Sequence, residues 1–131
     1  MKLSLIVIIL SFLFIVKGQD NTAESYQINT FIKYLQDNNY WEILEQVSVH
    51  FGEDVSIEIC KSFVLSPHCE EVVRVYIPPA YSRMIKEDEK YDINELPNFL
   101  DKKQYSNILK RICKPINRYY LLLDKIIMKF N

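Results

Sequence analysis

The chain has 131 residues, of which 16 are Lys or Arg, 17 are Asp or Glu and 49% are hydrophobic. This length is typical of one domain, and the 13% of aromatic residues excludes an intrinsically disordered chain. The only glycines are Gly18 and Gly52, which excludes a P-loop, a dinucleotide-binding fingerprint and a G-x-S-x-G nucleophile elbow.

The first 18 residues have the pattern of a secretory signal peptide. Lys2 precedes a run of 14 residues, Leu3 to Val16, that is apolar except for two serines. A transmembrane helix needs about 20 apolar residues, so a retained anchor is the weaker alternative. We therefore expect cleavage before Gln19 and a secreted protein, or one in a lysosome-like endomembrane compartment. The remaining residues, 19–131, form a single helical domain in this interpretation.

Apolar residues recur at helical spacing through most of the remaining chain. The predicted helices cover about residues 25–36, 40–51, 53–65, 67–77, 105–112 and 115–130. The alternation of Val55, Ile57 and Ile59 leaves a short strand open as an alternative for the third of these. The predicted fold class is all-α, a compact bundle of five or six short helices.

Local signals place the helix ends. Asn39 and Glu42 have the spacing of a capping box, and Gly52 is placed to end the second helix. Ser66 and Pro67 are expected to cap and open the fourth helix. The polar residues 86–95 and the following Leu96-Pro97 are expected to form an irregular connection.

The chain has three cysteines, Cys60, Cys69 and Cys113. Cys60 ends one predicted helix and Cys69 begins the next, so a helical hairpin brings them together. This favours a Cys60–Cys69 disulfide over either pairing with Cys113. Cys113 is then a buried free thiol or, alternatively, a bridge between chains.

Residues 58–85 resemble the central helix pair of the saposin-like (saposin B-type) family. In that family a cysteine ending the second helix bonds to one opening the third. A C-x-x-[VI]-[VI] run with an aromatic residue near the next turn follows, which this chain matches with residues 69–73 and Tyr76, and the matched stretch ends at Ile85. Most of the family's cysteines are missing here, including the C-x-x-C near the start. The resemblance implies a leaf of helices that binds lipids or membranes.

Charge is divided unevenly along the chain. Residues 19–101 contain six basic and sixteen acidic side chains, whereas residues 102–131 contain eight basic side chains and one acidic one, Asp124. The two segments therefore carry net charges of −10 and +7. The basic segment either packs on the acidic body of its own domain or binds an anionic surface.

The last predicted helix is basic and amphipathic. The lipid-facing candidates on its apolar side are Tyr119, Tyr120, Leu123, Ile127 and Phe130. The candidates for binding anionic headgroups are Lys114, Arg118, Lys125 and Lys129. Such a helix can lie in a bilayer interface with its basic side chains extended to the headgroups, although a wide apolar side equally suits packing in a core.

These features predict a secreted helical protein that interacts with lipids or membrane surfaces. In this interpretation the C-terminal helix perturbs membranes at acidic pH, once protonation of carboxylates weakens the hold of the acidic body. The alternative is a secreted protein-interaction module with no lipid role. No motif ties His50 or His68 to a nucleophile or an acid, so we expect no enzymatic activity. The sequence also predicts no cofactor, no metal site and no nucleic-acid partner.

Overall fold

The computed structural model describes residues 26–77 and 90–131. The predicted signal peptide lies outside the described residues, as do residues 78–85 of the family resemblance. The chain divides into two units, Met1–Tyr34 and Leu35–Asn131. We describe each unit by itself.

The described part of the first unit is helical. Helix α1 covers residues 26–37. The hydroxyl of Thr30 donates a 2.8 Å hydrogen bond to the carbonyl of Tyr26, one helical turn earlier. The rings of Phe31 and Tyr34 stack with their centroids 6.5 Å apart. These local bonds and ring contacts are those that helical spacing predicts.

The second unit is also built from helices, which confirms the all-α prediction for the described residues. Its helices are α2 (Tyr40–Phe51), α3 (Glu53–Ile59), α4 (Cys69–Glu71), α5 (Leu96–Lys102), α6 (Tyr105–Ile112) and α7 (Asn117–Phe130). Helix α3 continues as a π-helical turn over Cys60–Val64, and α4 continues as another over Val72–Tyr76. A 3-10 turn at Ile93–Glu95 leads into α5. The strand alternative for residues 55–59 is wrong.

The described residues contain seven helices rather than five or six, because α5 forms where an irregular connection was expected. The carboxylate of Asp92 accepts the backbone N–H of Asn94 at 2.8 Å and starts the 3-10 turn. Pro97 then lies in the first turn of α5. A proline costs little there because the first N–H groups of a helix have no partner within it. It opens this helix instead of interrupting one.

The two ends of α2 differ in how well the sequence predicted them. Gly52 ends the helix as expected, with its N–H bonded to the carbonyl of Ser48 and a φ of 101° that favours glycine. The predicted capping box is wrong. Asn39 is left-handed, with a φ of 66°, and its side chain makes no cap hydrogen bond. The Glu42 carboxylate instead accepts a 3.1 Å hydrogen bond from the Tyr105 hydroxyl on α6.

The disulfide Cys60–Cys69 is present, as the hairpin argument predicts. It joins α3 to α4 across a sequence separation of nine residues. Closing a loop of this size stabilises a fold by about 2–3 kcal/mol in the chain-entropy treatment. The Ser66 hydroxyl accepts the N–H of His68 at 3.1 Å, as a cap would, but α4 begins only at Cys69.

The core of the second unit takes side chains from every one of its α-helices, α4 through its cysteine. Its largest fully buried side chains are Tyr119, Phe63, Leu35, Ile43, Leu44, Ile59, Leu96, Leu100 and Leu109. Two contacts hold α2, α3 and α7 together. The hydroxyl of Ser56 on α3 donates a 2.7 Å hydrogen bond to the carbonyl of Leu44 on α2. The ring of Tyr119 on α7 lies 5.7 Å from that of Phe63. Helix α7 is therefore packed against the disulfide-closed hairpin.

Candidate functional site

Helix α7 is the segment to which the sequence assigned every candidate binding residue except Lys114, which precedes it. Its inner face is formed by Tyr119, Leu123 and Ile126, all of which are buried. Their spacing of four and three residues puts them on one side of the helix. Burial of each large side chain contributes about 1.5–3 kcal/mol, so the inner face is the main attachment of α7 to the rest of the unit.

The five lipid-facing candidates do not form one exposed surface. Tyr119 and Leu123 are buried, Ile127 and Phe130 are half-buried, and Tyr120 is exposed. On a helical wheel, all five lie within one broad apolar arc. Packing places part of that arc in the core and leaves the rest at the edge of the core. A direct lipid contact by Tyr119 or Leu123 would require α7 to leave the core.

Three of the four headgroup candidates have no ion pair within the described part of the chain. Lys114, Arg118 and Lys125 are exposed, and no carboxylate in the described residues lies within salt-bridge distance of them. Lys129 differs, because its Nζ lies 2.6 Å from Oε1 of Glu58 on α3. An exposed ion pair is typically worth about 0.2–1 kcal/mol, less than one buried side chain of the inner face. Core packing, more than charge, therefore holds α7 in place.

Sequence reasoning missed two apolar residues on the solvent side of α7. Leu121 is 60% exposed and Met128 is 77% exposed. Together with Arg118 and Lys125 they form the outer stripe, which we define as Arg118, Leu121, Lys125 and Met128. Steps of three, four and three residues keep all four on one side of a helix. The spacing of these four residues could have identified the stripe from the sequence. A helical wheel centred on the most apolar side instead places Leu121 and Met128 at its flanks.

Aromatic rings and a lysine join α6 to the start of α7. Nζ of Lys110 lies 5.2 Å from the ring centroid of Tyr119 and 5.3 Å from that of Tyr120, within the range of cation–π attraction. The Tyr119 hydroxyl is buried and has no hydrogen-bond partner among the described residues. Burial, with a smaller contribution from Asp101, raises the pKa of Tyr119. Tyr119 is thus a packing residue whose hydroxyl bonds to nothing in the part of the chain that the structure describes.

Cys113, just before α7, is a buried free thiol. Burial raises the pKa of this thiol, while Arg118 acts weakly in the opposite direction. Burial and the charge of Arg118 both act on Cys113 because it lies at the end of α6. The higher pKa lowers the fraction of reactive thiolate. A bridge between chains through Cys113 would require this part of the fold to open.

A second surface feature is a cluster of rings around His50, near the end of α2 and far from the outer stripe along the chain. His50 stacks on Tyr91 with ring centroids 4.9 Å apart and an interplanar angle of 12°, and Phe99 lies against it at 5.4 Å. These rings border a surface cavity of about 410 Å³ whose rim includes Lys102 and Lys103. Burial first, and Lys103 second, lower the pKa of His50. The histidine thus takes part in an aromatic cluster, as an uncharged ring at neutral pH.

In the part of the chain that the structure describes, every helix is too short or too polar to cross a bilayer. Comparisons with protein-family models, with curated proteins and with solved structures find no match to this chain.

Proposed function

We propose that this chain is a secreted helical protein that binds anionic lipid surfaces through its C-terminal helix. The observation that carries the proposal is the exposure of Arg118 and Lys125, which have no ion-pair partner in the described residues, beside the exposed apolar Leu121 and Met128. Basic and apolar side chains on one exposed side of a helix are the elements of an interfacial membrane contact.

The charge division along the chain supports the same proposal. The segment 102–131 has a net charge of +7, and Lys129 is the one basic residue there that pairs with a carboxylate within the described residues. The other basic residues of this segment have no carboxylate partner within the described residues, so they can interact with an anionic surface. A basic residue near such a surface contributes about 1 kcal/mol at physiological ionic strength.

Sedimentation with vesicles tests the proposal. The protein, purified from a secretory host, is mixed with phosphatidylcholine vesicles with and without about 30% phosphatidylserine. We expect binding that requires the anionic lipid and weakens as salt is raised, because salt screens exposed charges. Absence of binding to both vesicles, at pH 5 and at pH 7, would refute the proposal.

A charge-matched pair of variants sharpens the test. Arg118→Gln with Lys125→Gln removes two charges from α7 and should weaken binding by about 30-fold, from about 1 kcal/mol per charge. Lys102→Gln with Lys103→Gln removes the same charge from the end of α5 and is the control. Equal losses in the two double variants would mean that net charge, and not α7, determines binding.

Acid dependence tests the alternative mechanism, in which α7 leaves the core. If protonation of carboxylates releases α7, binding and dye leakage at pH 5 should exceed those at pH 7, and the removal of Glu58 as Glu58→Gln should raise leakage at pH 7. Equal leakage at the two pH values would leave surface binding without membrane perturbation.

A protein-interaction role with no lipid is the second candidate. Leu65 and Val75, at the two arms of the disulfide-closed hairpin, are exposed apolar side chains outside α7. Single exposed apolar residues are common, but a pair on one rigid hairpin suits a protein contact. Loss of cell-surface retention in a Leu65→Ser/Val75→Ser variant, with no binding of either form to vesicles, would support this role.

A further inference from the structure

We propose that α7 contacts an anionic membrane with its outer stripe while its inner face remains in the core. This inference rests on the proposed function and adds the surface that performs it. It differs from the mechanism read from the sequence, in which the helix leaves the body and inserts Tyr119 and Leu123. The occupant of the stripe is an anionic bilayer surface.

The geometry of the outer stripe suits contact with a flat surface. With a rise of 1.5 Å per residue, Leu121 and Met128 lie about 10 Å apart along the helix axis. Both project from the side opposite the buried trio Tyr119, Leu123 and Ile126. A helix packed on its own domain therefore presents two apolar side chains to one flat surface at the same time, with no change of structure.

The charges of the stripe indicate which surface it fits. Arg118 lies one turn before Leu121, and Lys125 lies one turn before Met128, so each apolar residue has a basic neighbour. Long basic side chains can reach phosphate groups while their apolar stems and their neighbours enter the interface. The two basic residues have no carboxylate partner within the described residues, so an anionic surface supplies the missing complement.

Asp124 is the one acidic residue of α7 and lies at the margin of the stripe, on the side away from Lys125. It would face anionic headgroups with the wrong charge. The variant Asp124→Asn should therefore bind anionic vesicles more tightly, by about fivefold. A helix that left the core and inserted its inner face would turn Asp124 toward water and give no such gain.

The stripe is tested with two double variants. Leu121→Ser with Met128→Ser removes the exposed apolar pair of α7, and we expect about tenfold weaker binding to vesicles containing phosphatidylserine. Leu65→Ser with Val75→Ser changes two equally exposed apolar residues, 66% and 62%, elsewhere on the chain. This control should bind as the wild type does. All four positions are on the surface, so folding should be preserved, and circular dichroism checks it.

A cross-link tests whether α7 stays docked. The variant Glu58→Cys with Lys129→Cys places a half-buried and an exposed thiol across the α3–α7 contact. Of the native cysteines, Cys60 and Cys69 are bonded to each other and Cys113 is buried. A cleavable bis-maleimide reagent then joins the two helices. We expect the cross-linked protein to bind anionic vesicles within about twofold of the uncross-linked variant.

The outcomes separate this inference from the proposed function. If the wild type fails to bind anionic vesicles, both are refuted. If the wild type binds but the Leu121/Met128 variant binds equally well, the stripe is refuted and the function stands. If cross-linking abolishes binding and cleavage of the linker restores it, α7 must leave the core, and the docked arrangement is refuted.

Discussion

Nζ of Lys129 lies 2.6 Å from Oε1 of Glu58, and this ion pair joins the last turn of α7 to α3. It connects the basic C-terminal segment to the acidic part of the chain. Beside it, Tyr119, Leu123 and Ile126 are buried against the same unit. The relative size of these two attachments determines whether acid can release the helix.

We expect the ion pair to contribute little to stability. Lys129→Met should lower the free energy of unfolding by less than about 1 kcal/mol, because Lys129 is largely exposed and the pair is screened by water. Leu123→Ala should lower it by about 2–5 kcal/mol, since it leaves a cavity under α7. Urea unfolding followed by circular dichroism measures both. A larger loss in Lys129→Met than in Leu123→Ala would contradict the packing argument.

Two buried tyrosines should make the fold sensitive to alkali. Burial, together with the hydrogen bond to Glu42, raises the pKa of Tyr105 to about 12, and burial also raises the pKa of Tyr119. An unfolded tyrosine ionises near pH 10, so above that pH the unfolded state holds fewer protons than the folded state. The free energy of unfolding should therefore fall as the pH rises from about 10 to about 12.

Phenylalanine substitutions separate the two tyrosines. Tyr105→Phe and Tyr119→Phe should each reduce the slope of stability against pH above about 10, as measured by urea titration. At neutral pH, Tyr119→Phe should be neutral or stabilising by up to about 1–2 kcal/mol, because its hydroxyl is buried without a partner in the described residues. A clear loss of stability in Tyr119→Phe at pH 7 would reveal a hydrogen bond to that hydroxyl.

His50 should contribute an acid-dependent loss of stability. Burial and, second, Lys103 lower its pKa, so the unfolded chain takes up a proton that the folded chain resists. As the pH falls through about 6.5, the unfolded value, this histidine should destabilise the fold progressively. His50→Phe keeps a ring beside Tyr91 and Phe99 but cannot be protonated. The difference in stability between pH 7 and pH 5 should therefore be smaller in His50→Phe than in the wild type.

The contribution of Lys103 to the lowered pKa of His50 can be checked separately. Lys103→Gln removes one positive charge near His50, so it should raise the pKa of His50 and leave part of the acid dependence. Nuclear magnetic resonance titration of the imidazole gives the pKa directly. A pKa in the wild type equal to or higher than that in Lys103→Gln would contradict the contribution assigned to Lys103.

Backbone conformation gives a pair of predictions of opposite sign. Gly52 has a φ of 101°, with no atom near the position of an added Cβ, so Gly52→Ala should strain the backbone without a clash and cost about 1–3 kcal/mol. Gln104 is left-handed with a φ of 65°, and Gln104→Gly should relieve strain and be neutral or stabilising by up to about 1 kcal/mol. Thermal unfolding of both variants measures the two effects. A gain in Gly52→Ala would refute the strain argument.

Several features followed from local sequence signals. The 3.6-residue spacing predicted an all-α chain, and Gly52 was correctly placed at the end of α2, because both depend on the preferences of short segments. The Cys60–Cys69 bond followed from the turn at Ser66 and Pro67, which brings the ends of two consecutive helices together.

Other features depended on partners that are distant in the chain. The capping box at Asn39 does not form, and Glu42 bonds to Tyr105, which is 63 residues away. Helix α5 was missed because Pro97 is compatible with a helix start as well as with a break, and the burial of Leu96, Phe99 and Leu100 in the core favours the helix. Local sequence patterns cannot rank such alternatives, because each alternative is equally compatible with the neighbouring residues.

The sequence by itself determined that the C-terminal helix is basic, amphipathic and apolar over a wide arc. Only the tertiary structure decided which part of that arc is the core. Packing against Phe63 buries Tyr119 and its neighbours on the inner face, and it leaves Leu121 and Met128 in solvent beside Arg118 and Lys125. The physical reason is that a helix wheel records direction alone. Which direction becomes the interior depends on where the other helices lie.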